Sequence, residues 1–294
     1  MSKTKSGYVS IIGRPNVGKS TLLNRIIGEK LAGVSPKPQT TRGSVRGIHT
    51  TPQGQIVFFD TAGLHEPRDP LGKWMVQDVE KCLSNADLVY WMVLPEPPEP
   101  FEEKILEIVK KLTVPVFLVV NQIDRFQREE MLPILDFYSK AYPFRELIPI
   151  SAKRVIQIDL LLEKTFEHLP EGPMLFPEDQ ISDQNERDIV SEMIREKLFH
   201  FTGEEIPYSS AVKIDVFKDR NDKLTDIEAT IFVERDSQKA IVIGKQGHKL
   251  KEIGQAARLD IEKFIGKKVF LQLWVKTLDQ WKKDPNALKR LGYQ

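Results

Sequence analysis

A glycine-rich segment near the beginning of the chain constrains the fold more than any other feature. The segment, Gly13-Arg-Pro-Asn-Val-Gly-Lys-Ser20, fits the pattern G-x-x-x-x-G-K-[ST]. It follows an apolar run, Tyr8–Ile12, and precedes a helical pattern of Leu and Ile residues that ends at Gly28. A strand that leads through such a loop into a helix is typical of a parallel sheet with helices on its faces. The segment therefore predicts an α/β fold.

Short apolar runs continue to alternate with helical patterns through about the first 170 residues. This alternation predicts a doubly wound, mostly parallel sheet. One break in it matters, because Ser44–Thr50 and Gln55–Phe59 flank the turn sequence Thr51-Pro-Gln-Gly54. We expect a hairpin there, and hence one antiparallel edge strand. Further strands are predicted at Leu88–Leu94, Pro115–Val120 and Leu147–Ile150.

The stretch Leu169–Asp183 contains three prolines. Proline lacks a backbone donor and fixes its own backbone angle, so we expect no helix or strand there and interpret the stretch as an interdomain linker. After it, the sequence predicts a helix, two strands, a second long helix and a third strand. These elements fall at Asp188–Phe201, Ala211–Phe217, Ile227–Val233, Leu250–Phe264 and Val269–Val275.

The glycine-rich segment has the chemistry of a phosphate-binding loop. Its glycines let the backbone wrap around phosphates, while its N–H groups and the N-terminus of the following helix supply partial positive charge. Lys19 adds a full charge for the β- and γ-phosphates, and the Ser20 hydroxyl is a candidate ligand for Mg²⁺. The candidate residues of this loop are Gly13, Arg14, Pro15, Asn16, Val17, Gly18, Lys19, Ser20 and Thr21.

Three further polar motifs each follow a predicted strand, and the carboxyl ends of strands are where open α/β sheets bind ligands. Asp60 is placed to hold Mg²⁺ through water, and the Gly63 N–H is placed to contact a γ-phosphate. The Asp124 carboxylate can accept from both N1–H and N2–H₂ of guanine, a donor pair that adenine lacks. The three motifs contribute Asp60, Thr61, Ala62, Gly63 and Leu64, then Asn121, Gln122, Ile123 and Asp124, then Ser151, Ala152 and Lys153.

Four such motifs in this order are typical of a GTPase, and the chain from Gly7 to Tyr293 resembles the bacterial Era family. Gln39-Thr-Thr-Arg42 is similar to the switch I motif of that family, and Trp281-Lys-Lys-Asp-Pro-Asn-Ala-Leu-Lys-Arg-Leu-Gly-Tyr293 is similar to its C-terminal stretch. The resemblance implies a Ras-like GTP-binding domain with a mostly parallel six-stranded sheet at 1–172, a linker at 173–187 and an α+β type II KH domain at 188–294.

The resemblance also implies an enzyme that hydrolyses GTP to GDP and phosphate with Mg²⁺. It makes Lys19, Thr41 and Gly63 the catalytic residues, with Thr41 joining Ser20 as a magnesium ligand when GTP orders switch I.

Two positions, Gln122 and Ala62, depart from the Era pattern, and Leu64 departs from that of Ras-like enzymes. Ala62 stands where Era proteins usually have proline, although alanine is common there among Ras-like GTPases. Gln122 replaces a lysine that usually supports the base pocket. We expect this replacement to affect the affinity for the nucleotide more than the preference for guanine, because Asp124 is retained.

Leu64 stands where Ras-like enzymes place a glutamine, and because leucine cannot polarise water we expect a slow intrinsic rate. His65 is an alternative base, although a loop histidine is more often merely exposed. The resemblance implies that Asn16 helps to hold K⁺ together with carbonyls of Ser35–Thr40; the alternative is that Asn16 only shapes the loop.

A second glycine-rich loop, Gly244-Lys-Gln-Gly247, precedes the second long helix and fits the G-x-x-G loop of KH domains. Its glycines allow a nucleic-acid backbone to approach closely, and its lysine brings positive charge to the phosphates. The family resemblance implies that the partner is small-subunit ribosomal RNA near its 3′ end, and that the protein acts in assembly and maturation of the small ribosomal subunit. The candidate RNA-binding residues are Gly244, Lys245, Gln246, Gly247 and Lys249.

The C-terminal part is basic, with 13 Lys/Arg and five Asp/Glu between Lys239 and Arg290. Because this charge suits any polyanion, an alternative function is a GTP-regulated signalling adaptor that binds anionic membrane lipid. The longest apolar run has seven residues, too few to span a bilayer, and the single cysteine, Cys82, favours a reducing cytoplasm. We expect a cytoplasmic monomer, with peripheral association at the inner face of the cell membrane as an addition. Trp274 and Trp281 are predicted to be core residues rather than base-stacking ones.

Overall fold

A computed structural model of the protein describes residues 4–35, 37, 40–67, 69–203 and 205–293. Gln39 of the predicted switch I motif, and Pro36 and Pro38 of the adjoining stretch, lie outside the described residues. Contacts divide the chain into two compact units. The first consists of Met1–Leu31, Thr41–Glu66 and Met75–Asp183, and the second of Ala32–Thr40, Pro67–Trp74 and Gln184–Gln294.

The predicted helices and strands occur in the predicted order, and the short helices at Glu205–Ser209 and Pro285–Arg290 were not predicted. Through the first part of the chain they are β1 (Lys5–Ile12), α1 (Lys19–Ile27), β2 (Val45–Thr51), β3 (Gly54–Asp60), α2 (Pro70–Ser84), β4 (Leu88–Val93), α3 (Pro100–Val109), β5 (Val116–Val120), α4 (Arg128–Ala141), β6 (Glu146–Pro149) and α5 (Ile158–His168). The later elements are α6 (Glu186–Phe201), α7 (Glu205–Ser209), β7 (Ala211–Asn221), β8 (Leu224–Val233), α8 (Asp236–Ile243), α9 (His248–Ile265), β9 (Lys268–Thr277) and α10 (Pro285–Arg290).

The first unit is built on a six-stranded sheet in the order β2-β3-β1-β4-β5-β6. Strand β2 is antiparallel to β3, and the other neighbouring strands are parallel. The predicted hairpin and the mostly parallel sheet are thus confirmed. Strand β4 is buried along its whole length, because an interior strand covered on both faces needs apolar side chains on both. The segments that follow β1, β3, β5 and β6 lie at one edge of this sheet, which is where the four predicted motifs fall.

Much of the predicted linker is bonded to the first unit. The buried side chain of Gln55 accepts from the N–H groups of Leu175 and Phe176, both at 2.8 Å. Further along, the Ile48 N–H on β2 donates to the Ile181 carbonyl at 2.8 Å. Arg46 forms an ion pair with Asp183. The linker therefore runs along the outer edge of β2, with no helix among its described residues.

The second unit contains a three-stranded sheet in the order β7-β8-β9. Strands β7 and β8 are antiparallel, and β8 and β9 are parallel. Helix α8, the loop that follows it and helix α9 separate β8 from β9, which is the predicted type II KH order. Helix α9 ends at Gly266 as its spacing predicts. Among the described residues of both units, no helix is long and apolar enough to cross a bilayer.

The two tryptophans near the end of the chain have different environments. Trp281 is fully buried and its indole N–H donates to the Ser209 carbonyl at 2.9 Å, as predicted for a core residue. The same prediction is wrong for Trp274, which is 52% exposed. Side chains alternate along β9, so Val269 is buried while Phe270 and Trp274 lie on the open face of the sheet.

Helix α6 of the second unit holds the segment that leads to Thr41. Glu196 accepts from the Val34 N–H at 3.0 Å, and the Lys37 ammonium donates to the Thr202 carbonyl at 2.6 Å. The guanidinium of Arg195 donates to the Thr40 carbonyl, and Arg195 is buried beside Glu192. The residue before Thr41 is thus fixed by a helix of the second unit.

Candidate functional site: a phosphate loop, a base pocket and a nucleic-acid-binding loop

The phosphate loop joins β1 to α1 and carries a buried lysine. The Lys19 ammonium donates to the carbonyls of Gly13 at 3.1 Å and Arg14 at 3.0 Å. Burial lowers its pKa to about 8, although the nearby Asp60 carboxylate opposes that shift. At Gly18, which has φ 101°, an added Cβ would lie 2.3 Å from the Asn121 side-chain nitrogen, so only glycine fits. The loop is packed against the base motif at this position.

Three side-chain oxygens meet beside the start of α1. Ser20 Oγ donates to Asp60 Oδ2 at 2.6 Å and lies 2.9 Å from Thr41 Oγ1. Asp60 Oδ1 is buried and has no hydrogen-bond partner among the described residues. Burial raises the pKa of Asp60 to about 6, while Lys19 and the hydroxyls of Ser20 and Thr41 lower it. Hydroxyl and carboxylate oxygens with one unfilled acceptor suit Mg²⁺, so these residues fit the ion.

The segment after Asp60 packs onto the phosphate loop. Thr61 Oγ1 donates to the Ile11 carbonyl at 2.7 Å, and the Leu64 N–H donates to the Gly13 carbonyl at 3.2 Å. Gly63 lies so close to Pro15 that an added Cβ would be 2.8 Å from it. Leu64 and Ala62 are buried, and His65 Nδ1 lies 2.9 Å from the Gly63 carbonyl.

Asn121 joins the base motif to two other loops. Its side-chain nitrogen donates to the Val17 carbonyl at 2.7 Å, and its side-chain oxygen accepts from the Ala152 N–H at 3.0 Å. Ser151 donates to the Asp124 carboxylate at 2.5 Å, and this bond lowers the pKa of Asp124. Asp124 is exposed and ionised, as an acceptor for guanine must be. Sequence motifs place these residues at strand ends, but they do not reveal the bridging bonds of Asn121.

Asn16, the proposed K⁺ residue, and Gln122, which replaces the usual lysine, both adopt left-handed backbone conformations. Asn16 is exposed with φ 65°, and asparagine tolerates that region better than most residues. Gln122 has φ 67°, and its side-chain oxygen accepts from Arg125 at 2.7 Å. Of the other candidates, Val17 is buried, Thr21 and Ile123 are half-buried, and Lys153 is exposed.

The second glycine-rich loop joins α8 to α9, with Lys245 and Gln246 exposed and Lys249 half-buried. Gly244 and Gly247 have φ 71° and 78°. Beside the loop lies a groove of about 410 Å³, with Leu271 and Leu273 of β9 on one side. Helix α9 adds Lys251 to this groove, a residue whose charge the sequence already indicated. Sequence analysis missed Gln255 and Arg258, which follow Lys251 at spacings of four and three, the signal that could have shown them.

Two protein families match parts of the chain. Residues 8–122 match a family described as 50S ribosome-binding GTPase, and residues 205–282 match a family described as KH domain. Among curated proteins, the chain is 50% identical over 291 residues to GTPase Era of Geobacter metallireducens, covering 98% of each protein. It is 47% identical to GTPase Era of Staphylococcus haemolyticus, covering 100% of this chain and 98% of the relative.

Two solved structures match nearly the whole chain. A variant of Aquifex aeolicus Era bound to GDP and AlF₄⁻ has a TM-score of 0.95 and 41% identity, with 99% of each chain covered. A structure of Era with MgGDPNP and nucleotides 1506–1542 of 16S ribosomal RNA has a TM-score of 0.95 and 42% identity, also with 99% of each chain covered.

Proposed function

Because the chain belongs to the Era family of GTPases, we propose that it binds small-subunit ribosomal RNA near its 3′ end and acts in assembly and maturation of the small ribosomal subunit. One observation carries the proposal: the Mg²⁺-type oxygens of Ser20, Thr41 and Asp60 and the base motif lie at one sheet edge, in a chain that also has an exposed G-x-x-G loop. The functional domains we propose are the GTP-binding domain at 1–172, a linker at 173–187 and the KH domain at 188–294.

Within the GTPase reaction, each residue of the phosphate site has a distinct task. Lys19 carries positive charge to the β- and γ-phosphates, and Ser20 and Thr41 hold Mg²⁺, with Asp60 behind them. When bound, the ion neutralises negative charge on the phosphates. Gly63 offers its N–H to the γ-phosphate. Leu64 is buried and cannot orient water, which supports a slow intrinsic rate.

For base selection, we propose that Asp124 accepts both guanine donors while Ser151 holds its carboxylate in place. The bridge that Asn121 makes to Val17 and Ala152 keeps the base pocket in register with the phosphate loop. This arrangement supports GTP and GDP as the ligands.

We propose that K⁺ assists hydrolysis beside Asn16. A monovalent cation there stabilises the negative charge that develops on the oxygen between the β- and γ-phosphates during hydrolysis. Leu64 cannot do this, because its side chain is apolar. We expect K⁺ to speed hydrolysis by roughly fivefold over Na⁺ at equal ionic strength, which corresponds to about 1 kcal/mol of transition-state stabilisation. Single-turnover GTP hydrolysis with saturating Mg²⁺ measures this.

The Asn16→Ala variant serves as the control for the potassium prediction. It should bind GDP and lose the difference between the two salts. Equal rates of the unchanged protein in KCl and NaCl would contradict the potassium role.

We further propose that the nucleotide state controls access of RNA to the KH loop. The segment that leads to Thr41 is held by α6, and α6 packs against α9, which begins at the G-x-x-G loop. The residues before Thr41 thus contact the same helix that packs against α9, which supports the proposal.

Binding of a 3′-terminal 16S ribosomal RNA fragment with GDP, with a GTP analogue and without nucleotide tests this function. We expect the affinity for the fragment to exceed that for a scrambled RNA by at least ~10-fold, and to differ between nucleotide states. Similar affinities for both RNAs would contradict the RNA function.

The full-length Era relatives do not favour the alternative of a signalling adaptor. As an addition to the RNA function we propose peripheral binding to anionic membrane through the basic residues between Lys239 and Arg290. Competition between the RNA fragment and anionic vesicles tests membrane binding. Displacement of RNA by the vesicles would support binding of both ligands to the same basic surface, and no displacement would contradict it. We propose that the protein is cytoplasmic and monomeric. Gel filtration tests the oligomeric state.

A further inference from the structure

The side chain of Arg14, the second residue of the phosphate loop, lies among three carboxylates. Its guanidinium is 2.9 Å from Glu96, forms an ion pair with Glu99 and is 3.6 Å from Glu102. The Arg14 side chain is only 12% exposed, and that of Glu102 is 4% exposed. A motif that assigns Arg14 to phosphate binding does not show this environment.

The three carboxylates are held in place by their own segment. Glu99 is the N-cap residue of α3; its N–H donates to the Glu102 carboxylate at 2.5 Å, and the Glu102 N–H donates to the Glu99 carbonyl at 2.9 Å. Glu96 and Glu99 also lie in the proline-rich run Pro95–Pro100, whose backbone is stiff. Glu102 is buried beside Arg14, whereas the side chains of Glu96 and Glu99 are 44% and 59% exposed.

This acidic cluster (Glu96, Glu99 and Glu102) has more negative charge than Arg14 can neutralise. Its members contact the side chain of a loop residue, and physiological salt screens charge only over ~8–10 Å. A nucleoside triphosphate adds several negative charges to the same region. Lys19, whose ammonium is bonded to loop carbonyls, counters charge at the phosphates but does not contact the cluster in the described residues.

We propose that Arg14 is a positioning residue that neutralises part of the charge of this acidic cluster and thereby lets the loop accept a highly charged nucleotide. The inference rests on the proposed phosphate-binding role of Gly13–Ser20. It differs from a purely structural role, in which the ion pairs only fasten the loop to α3. An electrostatic role makes the effect of Arg14 grow with the number of phosphates, whereas a purely structural role affects all nucleotides alike.

The experiment compares equilibrium binding of GTP, GDP and GMP to Arg14→Met, with Arg14→Lys as the conservative variant. For Arg14→Met we expect about a tenfold weaker affinity for GTP, about a threefold weaker affinity for GDP and a smaller change for GMP. Arg14→Lys should recover part of the loss. Lys140→Met removes one positive charge from an exposed pair with Asp136 and is the matched control.

Two additions make the outcome decisive. The triple variant R14M/E96Q/E99Q removes two of the three negative charges together with the positive one, and should bring GTP affinity back to within about threefold of the unchanged protein or better. The pair E96Q/E99Q alone leaves Arg14 and the fold intact, and should strengthen GTP binding over GDP. Equal losses for GTP and GDP, or no recovery in the triple variant, would overturn the inference. A failure of the unchanged protein to bind GTP would instead contradict the proposed function.

Discussion

In an Asp124→Asn variant, the preferred nucleotide should change from GTP to xanthosine triphosphate. The carboxylate that would accept two guanine donors becomes an amide, whose NH₂ group faces those donors and whose single oxygen carries no charge. Losing a charge-assisted pair and leaving donors unpaired costs about 3 kcal/mol, so GTP affinity should fall by roughly 100-fold. Xanthine carries a carbonyl at C2, which accepts from the new amide, and its binding should improve by at least ~10-fold.

Competition binding with GTP and XTP measures the change. The variant should remain folded, because the new amide oxygen can still accept from Ser151, as Asp124 does at 2.5 Å. Asp159→Asn removes the same charge from an exposed position on α5 and is the matched control. A variant that keeps the GTP preference of the unchanged protein would show that guanine is recognised elsewhere.

A Gly247→Asp variant should lose RNA binding by at least ~30-fold while GTP hydrolysis without RNA stays near normal. The substitution places a negative side chain where a phosphate must approach, and an unfavourable like-charge contact costs several kcal/mol. The protein itself can accommodate the residue, since nothing lies within 4 Å of an added Cβ. The left-handed φ of 78° at this position is also one that Asp tolerates better than most residues.

Filter binding of the 3′-terminal ribosomal RNA fragment measures the loss. Gly266→Asp is a close control, because Gly266 has φ 72°, an equally open surrounding and a position at the far end of α9. That control adds the same charge and similar backbone strain without touching the loop. If both variants bind RNA as the unchanged protein does, the G-x-x-G loop is not the RNA contact.

The architecture was predictable because it depends on local patterns. Strands such as Leu88–Val93 are apolar on both faces, which is typical of buried strands in a parallel sheet. The glycine-rich loop sequence is typical of a connection from a strand to a helix. Ser20 and Asp60 of the oxygen cluster were also predictable, since each belongs to a motif that follows a strand at the same sheet edge, whereas Thr41 was predicted only through the family resemblance.

What the sequence could not show depends on contacts between distant segments. The acids around Arg14 are about 80 residues away along the chain, and periodicity gives no signal for such a pairing. Asn121 bridges two loops through backbone atoms that any residue possesses. Trp274 is of a residue type that is usually buried, yet the alternation of side chains along β9 places it on the exposed face of the sheet.

The bonds between the linker and β2 also determine where the chain can be divided. A strand with a free edge offers unpaired N–H and C=O groups to strands of other molecules, and so promotes aggregation. Here the Ile48 N–H at that edge donates to the Ile181 carbonyl of the linker. Earlier in the linker, the Leu175 N–H donates to the side chain of Gln55. A nucleotide-binding fragment cut at the composition boundary near residue 172 would lose this cover, whereas one that ends after Asp183 would keep it. We therefore expect a fragment that lacks the linker to self-associate more readily than one that keeps it.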